Sequence, residues 1–272
     1  MKKVCFVCNW GETSFQLFDR YSNQTPNCSG EWGNIKGVIH PQEADYFAVM
    51  DGGIGNLDRS KVLFFQREPP SIKGQTEDLS GVKFKGTYDT TPQASIWWVK
   101  KNYDELKALK NIPKREKVSC VMSGKTMCEG HRNRLERVKE ISDNIDVNFY
   151  GRGLDRWVSK GYQGEVSDKF NALYPYTYSF VFENSNIPNY FTEKICDSFL
   201  TYTMPLYNGC TNLEKYFPKE SFIDIRGKSI QDIKEIVNTP LTKENIDALE
   251  ESKRLVLDKY NIWAMVEEIL DA

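Results

Sequence analysis

Residues 178–208 read YSFVFENSNIPNYFTEKICDSFLTYTMPLYN. The run at 179–182 has the composition of a buried strand. It delivers Glu183, Asn184 and Ser185 to its carboxyl end, where open α/β sheets bind their ligands. Ile195, Phe199 and Leu200 then recur at helical spacing, and Thr192 stands where it can cap the first turn. Glu193 in that turn complements the helix dipole, whereas Lys194 opposes it and is better accounted for if an anion such as phosphate sits beside it. Tyr190, Glu193 and Lys194 are spaced by three and four. A first turn reaching back to Tyr190 gathers a phenol, a carboxylate for paired ribose hydroxyls and an ammonium for a diphosphate. An ordinary solvated helix start has the same spacing.

Further apolar runs lie on both sides, at residues 3–8, 46–50, 62–66, 118–122, 147–150, 204–207 and 222–225. Helix-length segments with apolar residues three and four apart separate several of them, and this alternation argues an α/β fold with mostly parallel sheets. Residues 94–110, ASIWWVKKNYDELKALK, bring Ile96, Trp97, Val99, Tyr103, Leu106 and Leu109 toward one broad helical face. The polar run at 111–117 divides the chain into 1–112 and 117–272, two α/β halves, and a cleft between such halves is a common place for ligands. Ser229 and Thr242 are placed to cap two later helices. Residues 260–270 form a last amphipathic segment that either closes the second half or packs on the first.

The 272 residues carry 36 Lys+Arg against 38 Asp+Glu, so no global positive field attracts a phosphate backbone, and nucleic acid is not an expected partner. Any phosphate must be met locally. The longest uncharged stretches, 171–182 and 198–213, are interrupted by Pro, Asn and Thr and fall short of the ~20 apolar residues of a membrane span. The basic start leads into an apolar run shorter than the ~7–15 residues of a secretory signal core, so the protein is expected to start at Met1 and to be soluble and cytoplasmic. Seven scattered cysteines fit reduced thiols. Cys5 with Cys8, and Cys128 with His131, make only a weak zinc candidate, because an offset of three along a strand points the first pair to opposite faces.

The motif FENSNIPNYFTEKICDSF, followed by MPLYNG and PKESFIDI, resembles the donor-binding signature of the α1,3-fucosyltransferases, glycosyltransferase family 10. That pattern runs FENS, a variable loop, Tyr-x-Thr-Glu-Lys, a Pro-containing strand and a Ser-Phe-Ile strand. Weaker echoes at 146–153, and at Ser123 with Arg132, extend the likeness over most of the second half. The resemblance implies a GT-B fold, two Rossmann-like domains facing across a cleft. It also implies an inverting transfer of fucose from GDP-fucose to a hydroxyl of a glycan acceptor, with an α1,3 linkage. By the same resemblance Tyr190, Glu193 and Lys194 hold the donor together with Asn184 and Glu183 of FENS and with Ser123. Arg132 looks like the arginine that meets the β-phosphate, with Arg134 as the alternative register.

Breaking a sugar–diphosphate bond leaves negative charge that a divalent metal or fixed cations must neutralise. The chain lacks a D-x-D, the common metal–diphosphate motif. Lys194 and Arg132 are therefore expected to serve without an obligatory metal or other cofactor, the arginine bidentate and the lysine as a point charge. An inverting transfer also needs a general base. Glu68, in VLFFQREPP at 62–70, ends an apolar run and is kept extended by the proline after it; it resembles the family's Glu-x-Pro element. Asp45, Asp51 and Asp89 are the reserve candidates, and Trp10 is a candidate stacking surface for an acceptor sugar. Two other readings stay open: a GT-B enzyme using another nucleotide sugar such as GDP-mannose, and a non-catalytic glycan-binding protein of the same fold.

Overall fold

Alternating apolar runs become two separate sheets in the computed structural model, which describes residues 1–69, 77–88 and 95–272. The strands are β1 (Lys2–Cys8), β2 (Glu31–Trp32), β3 (Ile35–Val38), β4 (Tyr46–Met50), β5 (Val62–Phe65), β6 (Phe84–Gly86), β7 (Glu116–Val121), β8 (Asn148–Tyr150), β9 (Tyr176–Phe182), β10 (Met204–Asn208) and β11 (Ile223–Asp224). The helices are α1 (Ser14–Ser22), α2 (Tyr103–Ala108), α3 (Glu129–Asn144), α4 (Phe170–Leu173), α5 (Glu193–Leu200), α6 (Ile230–Asn238), α7 (Lys243–Asp258) and α8 (Ile262–Asp271). The chain divides into two units. Met1–Ile96, Lys101–Leu109 and Val256–Ala272 form the first, and Trp97–Lys100 with Lys110–Leu255 form the second.

In the first unit the sheet order is β2-β3-β1-β4-β5-β6, parallel throughout except for the β2–β3 pair. Val4 and Phe6 of β1 face a core with Leu17, Tyr21, Trp263 and Val266. Cys5 points the other way, to Val38, Val49 and Phe64. A strand covered on both faces reads as a continuous apolar run, and this is why β1, β4 and β5 were visible in the sequence. Cys5 is spent on packing. The terminal segment belongs to this unit: the Trp263 ring meets Phe6 edge-on at 5.0 Å, and its Nε1 donates to the Tyr21 carbonyl at 2.8 Å.

The second sheet runs β11-β10-β9-β7-β8 and is wholly parallel, which places β9, the strand of the FENS motif, at its centre. Ser229 caps α6 reciprocally with Asp232, and Thr242 Oγ1 accepts the Asn245 amide in the first turn of α7. Among the described residues no helix is long and apolar enough to cross a membrane.

Two expectations need correction. Within the expected helix 94–110, of which residue 94 lies outside the described residues, only Tyr103–Ala108 is helical. The amides of Trp98 and Val99 donate instead to Asp197 Oδ1 (2.8 and 3.3 Å) and that of Lys100 to Asp168 Oδ1 (2.9 Å). Asn102 then starts a fresh helix with a capping box to Glu105. Strands β2, β3 and β6 were not foreseen, because runs of two to four residues, interrupted by Gly in β3 and β6, carry no readable alternation.

Candidate active site

In the second unit, β9 ends at Phe182 and passes Glu183 into a buried corner, where its amide donates to the Asn208 carbonyl at the end of β10 (2.9 Å). The Glu183 carboxylate is buried. Its Oε1 accepts the Thr192 amide at 2.9 Å; its Oε2 accepts the Thr192 hydroxyl at 2.7 Å and pairs with Lys194 Nζ at 3.3 Å. Thr192 in turn caps α5, its Oγ1 accepting the Lys194 amide. Lys194 Nζ also reaches Glu193 Oε1 at 3.2 Å and Thr192 Oγ1 at 3.0 Å. Burial works against the Lys194 ammonium, yet the Glu193 and Glu183 carboxylates outweigh it and hold its pKa above the ordinary lysine value. The anions beside Lys194 are therefore side chains of this chain in the first instance.

Helix α3 brings a second cation to the same place. Arg134 is buried, with Nη1 donating to Asn184 Oδ1 at 2.8 Å and Nη2 to the Ser123 carbonyl at 3.5 Å, while its Nε has no partner. Burial lowers its pKa and the Glu183 carboxylate offsets part of that. Arg132 is exposed, its Nη1 3.3 Å from the Thr126 carbonyl. Two residues along a helix turn the side chain through about 200°, so the two arginines cannot share a target. The structure joins Arg134, not Arg132, to Asn184 and Ser123.

His131 shares the buried face of α3 with Arg134, and its Nδ1 has no partner. Burial, reinforced by the positive charges of Arg134, Lys125 and Lys194, pushes its pKa down to about 4. The imidazole is therefore neutral at ordinary pH beside these cations. Gly130 permits the approach: a Cβ there would stand 1.9 Å from the Asn184 carbonyl oxygen. Gly209 does the same on the other side, where a Cβ would stand 2.5 Å from Glu183 Cγ.

Tyr190 is buried ahead of α5, and the helix does not reach back to it, since Thr192 is the N-cap. Its loop is held by a reciprocal amide pair: the Asn189 amide donates to Asn212 Oδ1 and Asn212 Nδ2 to Asn189 Oδ1, each at 2.8 Å. Asn189 takes φ 62°, a left-handed conformation that Asn adopts more readily than most residues.

In the first unit, Glu68 follows β5 and is half-buried. Its amide donates to Asp51 Oδ1 at 2.9 Å, and its carbonyl accepts the Tyr88 hydroxyl. Asp51 is buried and already accepts two amides, and Asp45 is exposed before β4, at the amino end of the sheet, accepting the Lys3 amide. Asp89 lies outside the described residues. Trp10 is exposed on the loop after β1, its Nε1 donating to Glu12.

Residues 112–247 match the model of glycosyltransferase family 10 (fucosyltransferase), C-terminal part. The chain belongs to glycosyltransferase family 10. Among family relatives, a fucosyltransferase-like protein of Arabidopsis thaliana is 32% identical over 111 residues, 40% of this chain and 20% of that protein. The 4-galactosyl-N-acetylglucosaminide 3-alpha-L-fucosyltransferase 9 of Cricetulus griseus is 27% identical over 116 residues, 42% of this chain and 30% of that protein. The match thus spans less than a third of either relative. A crystal structure of an alpha1,3-fucosyltransferase superposes with a TM-score of 0.53 at 17% identity, covering 100% of this chain and 91% of the other. A DNA-modifying beta-glucosyltransferase superposes with a TM-score of 0.55 at 9% identity, covering 99% and 100%. These likenesses show an α/β fold of the GT-B type.

Within this family 10 chain, the side chains brought together at the head of α5 are Glu183, Thr192, Glu193 and Lys194, with Arg134 and His131 reaching in from α3 beside Asn184. Sequence reasoning missed Gly130, Gly209 and the Asn189–Asn212 pair. The glycines carry no chemistry and show their purpose only when the neighbouring backbone is known. Asn189 gives a faint signal, as a residue tolerant of positive φ just after a proline.

Proposed function

We propose that this protein transfers fucose from GDP-fucose to a glycan hydroxyl with inversion at the anomeric carbon, forming an α1,3 linkage. The observation that carries the reading is the pairing of Lys194 and Arg134 around Asn184 and Glu183 at the carboxyl end of β9, within the segment that matches family 10. One of the similar structures is of an alpha1,3-fucosyltransferase with GDP-fucose.

In the proposed reaction Glu68 takes the proton of the acceptor hydroxyl as its oxygen attacks the anomeric carbon of fucose, and the bond to the β-phosphate oxygen breaks on the opposite face. The charge that appears on GDP is met by Lys194 and by the Arg134 guanidinium, without an obligatory metal. Glu193 binds the ribose hydroxyls, and Tyr190 and Asn184 complete the donor pocket. Arg134 replaces Arg132 in the phosphate role, because it alone of the two is joined to Asn184.

The test is a donor and acceptor matrix. The protein is incubated with GDP-fucose, GDP-mannose and UDP-glucose against a panel of glycans, and products are assigned by mass and by NMR of the new linkage. A fucosylated product from GDP-fucose alone, with the anomeric configuration inverted, is expected. Transfer from another nucleotide sugar instead would redirect the donor assignment. No product, with no rise in melting temperature on adding GDP, would favour a binding protein, since a ligand specific to the native state must stabilise it.

A further inference from the structure

We infer that Asp51 is the positioning residue of the base, fixing the backbone from which Glu68 projects. The inference rests on the proposal that Glu68 is that base, and it begins from the end of the sheet. Strands β4 and β5 run parallel, with Met50 beside Phe65, and the ladder continues one step further, the Asp51 amide donating to the Phe65 carbonyl at 2.9 Å. On the far side, the Gln66 amide donates to the Gly86 carbonyl at 2.8 Å. Past that point β5 has left its neighbours, and the amides of Arg67 and Glu68 need acceptors from elsewhere.

Asp51 supplies both. A single oxygen, Oδ1, accepts the Arg67 amide at 2.6 Å and the Glu68 amide at 2.9 Å. To present that oxygen the residue adopts φ 58°, which is unfavourable for a residue with a Cβ, and it buries its carboxylate to 2% exposure. Burial pushes the carboxyl pKa up, and the Glu68 and Arg67 amides and the Arg67 charge pull it back. A strained backbone and a desolvated acid are two local costs at one position, and what they secure is the orientation of the next strand's terminal peptides.

The other side of Glu68 is held as well, its carbonyl accepting the hydroxyl of the buried Tyr88. The corner itself is tied down by Asn9 Nδ2 on the Asp51 carbonyl (3.4 Å) and by Glu77 Oε1 on the Gly53 amide (2.7 Å). Glu68 is thus gripped at both its N–H and its C=O. A base displaced by about 1 Å loses rate on the order of 100-fold, so the grip bears on turnover and not on donor affinity.

The experiment uses Asp51→Gly, which removes the acceptor oxygen and at the same time suits the positive φ, alongside Asp51→Asn, which keeps an acceptor oxygen at the same reach. Glu68→Gln is run in parallel, and kcat, donor KM, GDP affinity by calorimetry and melting temperature are measured for each. The expected result is that Asp51→Gly loses ~100-fold in kcat, that its GDP affinity and donor KM stay within about twofold of wild type, and that Asp51→Asn recovers most of the rate. An Asp51→Gly protein with wild-type kcat, beside an inactive Glu68→Gln, overturns the positioning role and leaves the base in place. An equal loss in kcat and GDP affinity, or an Asn variant as slow as the Gly variant, also overturns it. A Glu68→Gln protein with wild-type kcat overturns the base and this inference together.

Discussion

Lys194 Nζ stands 3.3 Å from Oε2 of Glu183, a carboxylate buried behind the head of α5. The cation proposed to receive the donor's phosphate is therefore held by an internal counter-ion before any ligand arrives. Such a pair keeps the ammonium charged and pointed, and a diphosphate has only to displace the more exposed Glu193 from it. Glu183→Gln leaves the charge of Lys194 in a buried site with one carboxylate fewer and weakens the grip on Thr192. A loss of about 3 kcal/mol in unfolding free energy is expected, measured by urea denaturation at neutral pH.

The two arginines of α3 should separate cleanly. Arg134→Ala is expected to weaken GDP binding by ~10-fold or more, since hydrogen bonds to charged groups are worth about 1.5–3 kcal/mol. Arg134→Lys should restore it only in part, because an ammonium lacks the planar fork. Arg132→Ala should bind GDP within about twofold of wild type, as expected of an exposed side chain. Calorimetric titration of GDP into the three variants decides this.

His131 confers an acid sensitivity with a definite sign. Its pKa is about 4 in the folded protein against 6.5 as its reference value, so between these values the unfolded chain binds more protons and stability falls as pH drops from 6.5 toward 4. Above about pH 7.5 both states hold the imidazole neutral and the residue contributes almost nothing to the pH dependence. From pH 7 to pH 5 the loss amounts to about 2 kcal/mol, and His131→Gln should abolish that portion of it. Urea unfolding of both proteins at the two pH values provides the comparison.

Gly130→Ala places a methyl group 1.9 Å from the Asn184 carbonyl oxygen, so either the start of α3 or the end of β9 must shift. A destabilisation of about 2 kcal/mol is expected from overpacking, with a weaker GDP affinity because Arg134 and Asn184 part company. Alanine is otherwise the better helix former, and a stabilised Gly130→Ala protein would contradict this packing.

The parts of this fold that could be read in advance were those written in local pattern. The parallel sheets followed from apolar runs buried on both faces, and the start of α5 from Thr192 ahead of Ile195, Phe199 and Leu200. The choice between Arg132 and Arg134 was also present, in the spacing of α3. His131, Arg134, Leu135, Val138, Ile141 and Ser142 make up its buried face, and Arg132 falls outside it. No rigid motif fixed the register between the two arginines, and the rarity of a buried guanidinium hid the phase. Residues 97–100 were misread as helix because the acceptors of their amides, Asp197 and Asp168, lie far along the chain. Nor could the sequence reveal that Glu183, eleven positions earlier, stands beside Lys194.

The central claim is that a guanine nucleotide's diphosphate is bound by Lys194 and Arg134 with no divalent ion required. Calorimetric titration of GDP into wild type and into the Lys194→Ala/Arg134→Ala double variant, each in EDTA, tests it directly. The account predicts undiminished binding by the wild type in EDTA and a loss of at least ~100-fold in the double variant. Binding that EDTA abolishes, or that survives removal of both cations, would contradict it.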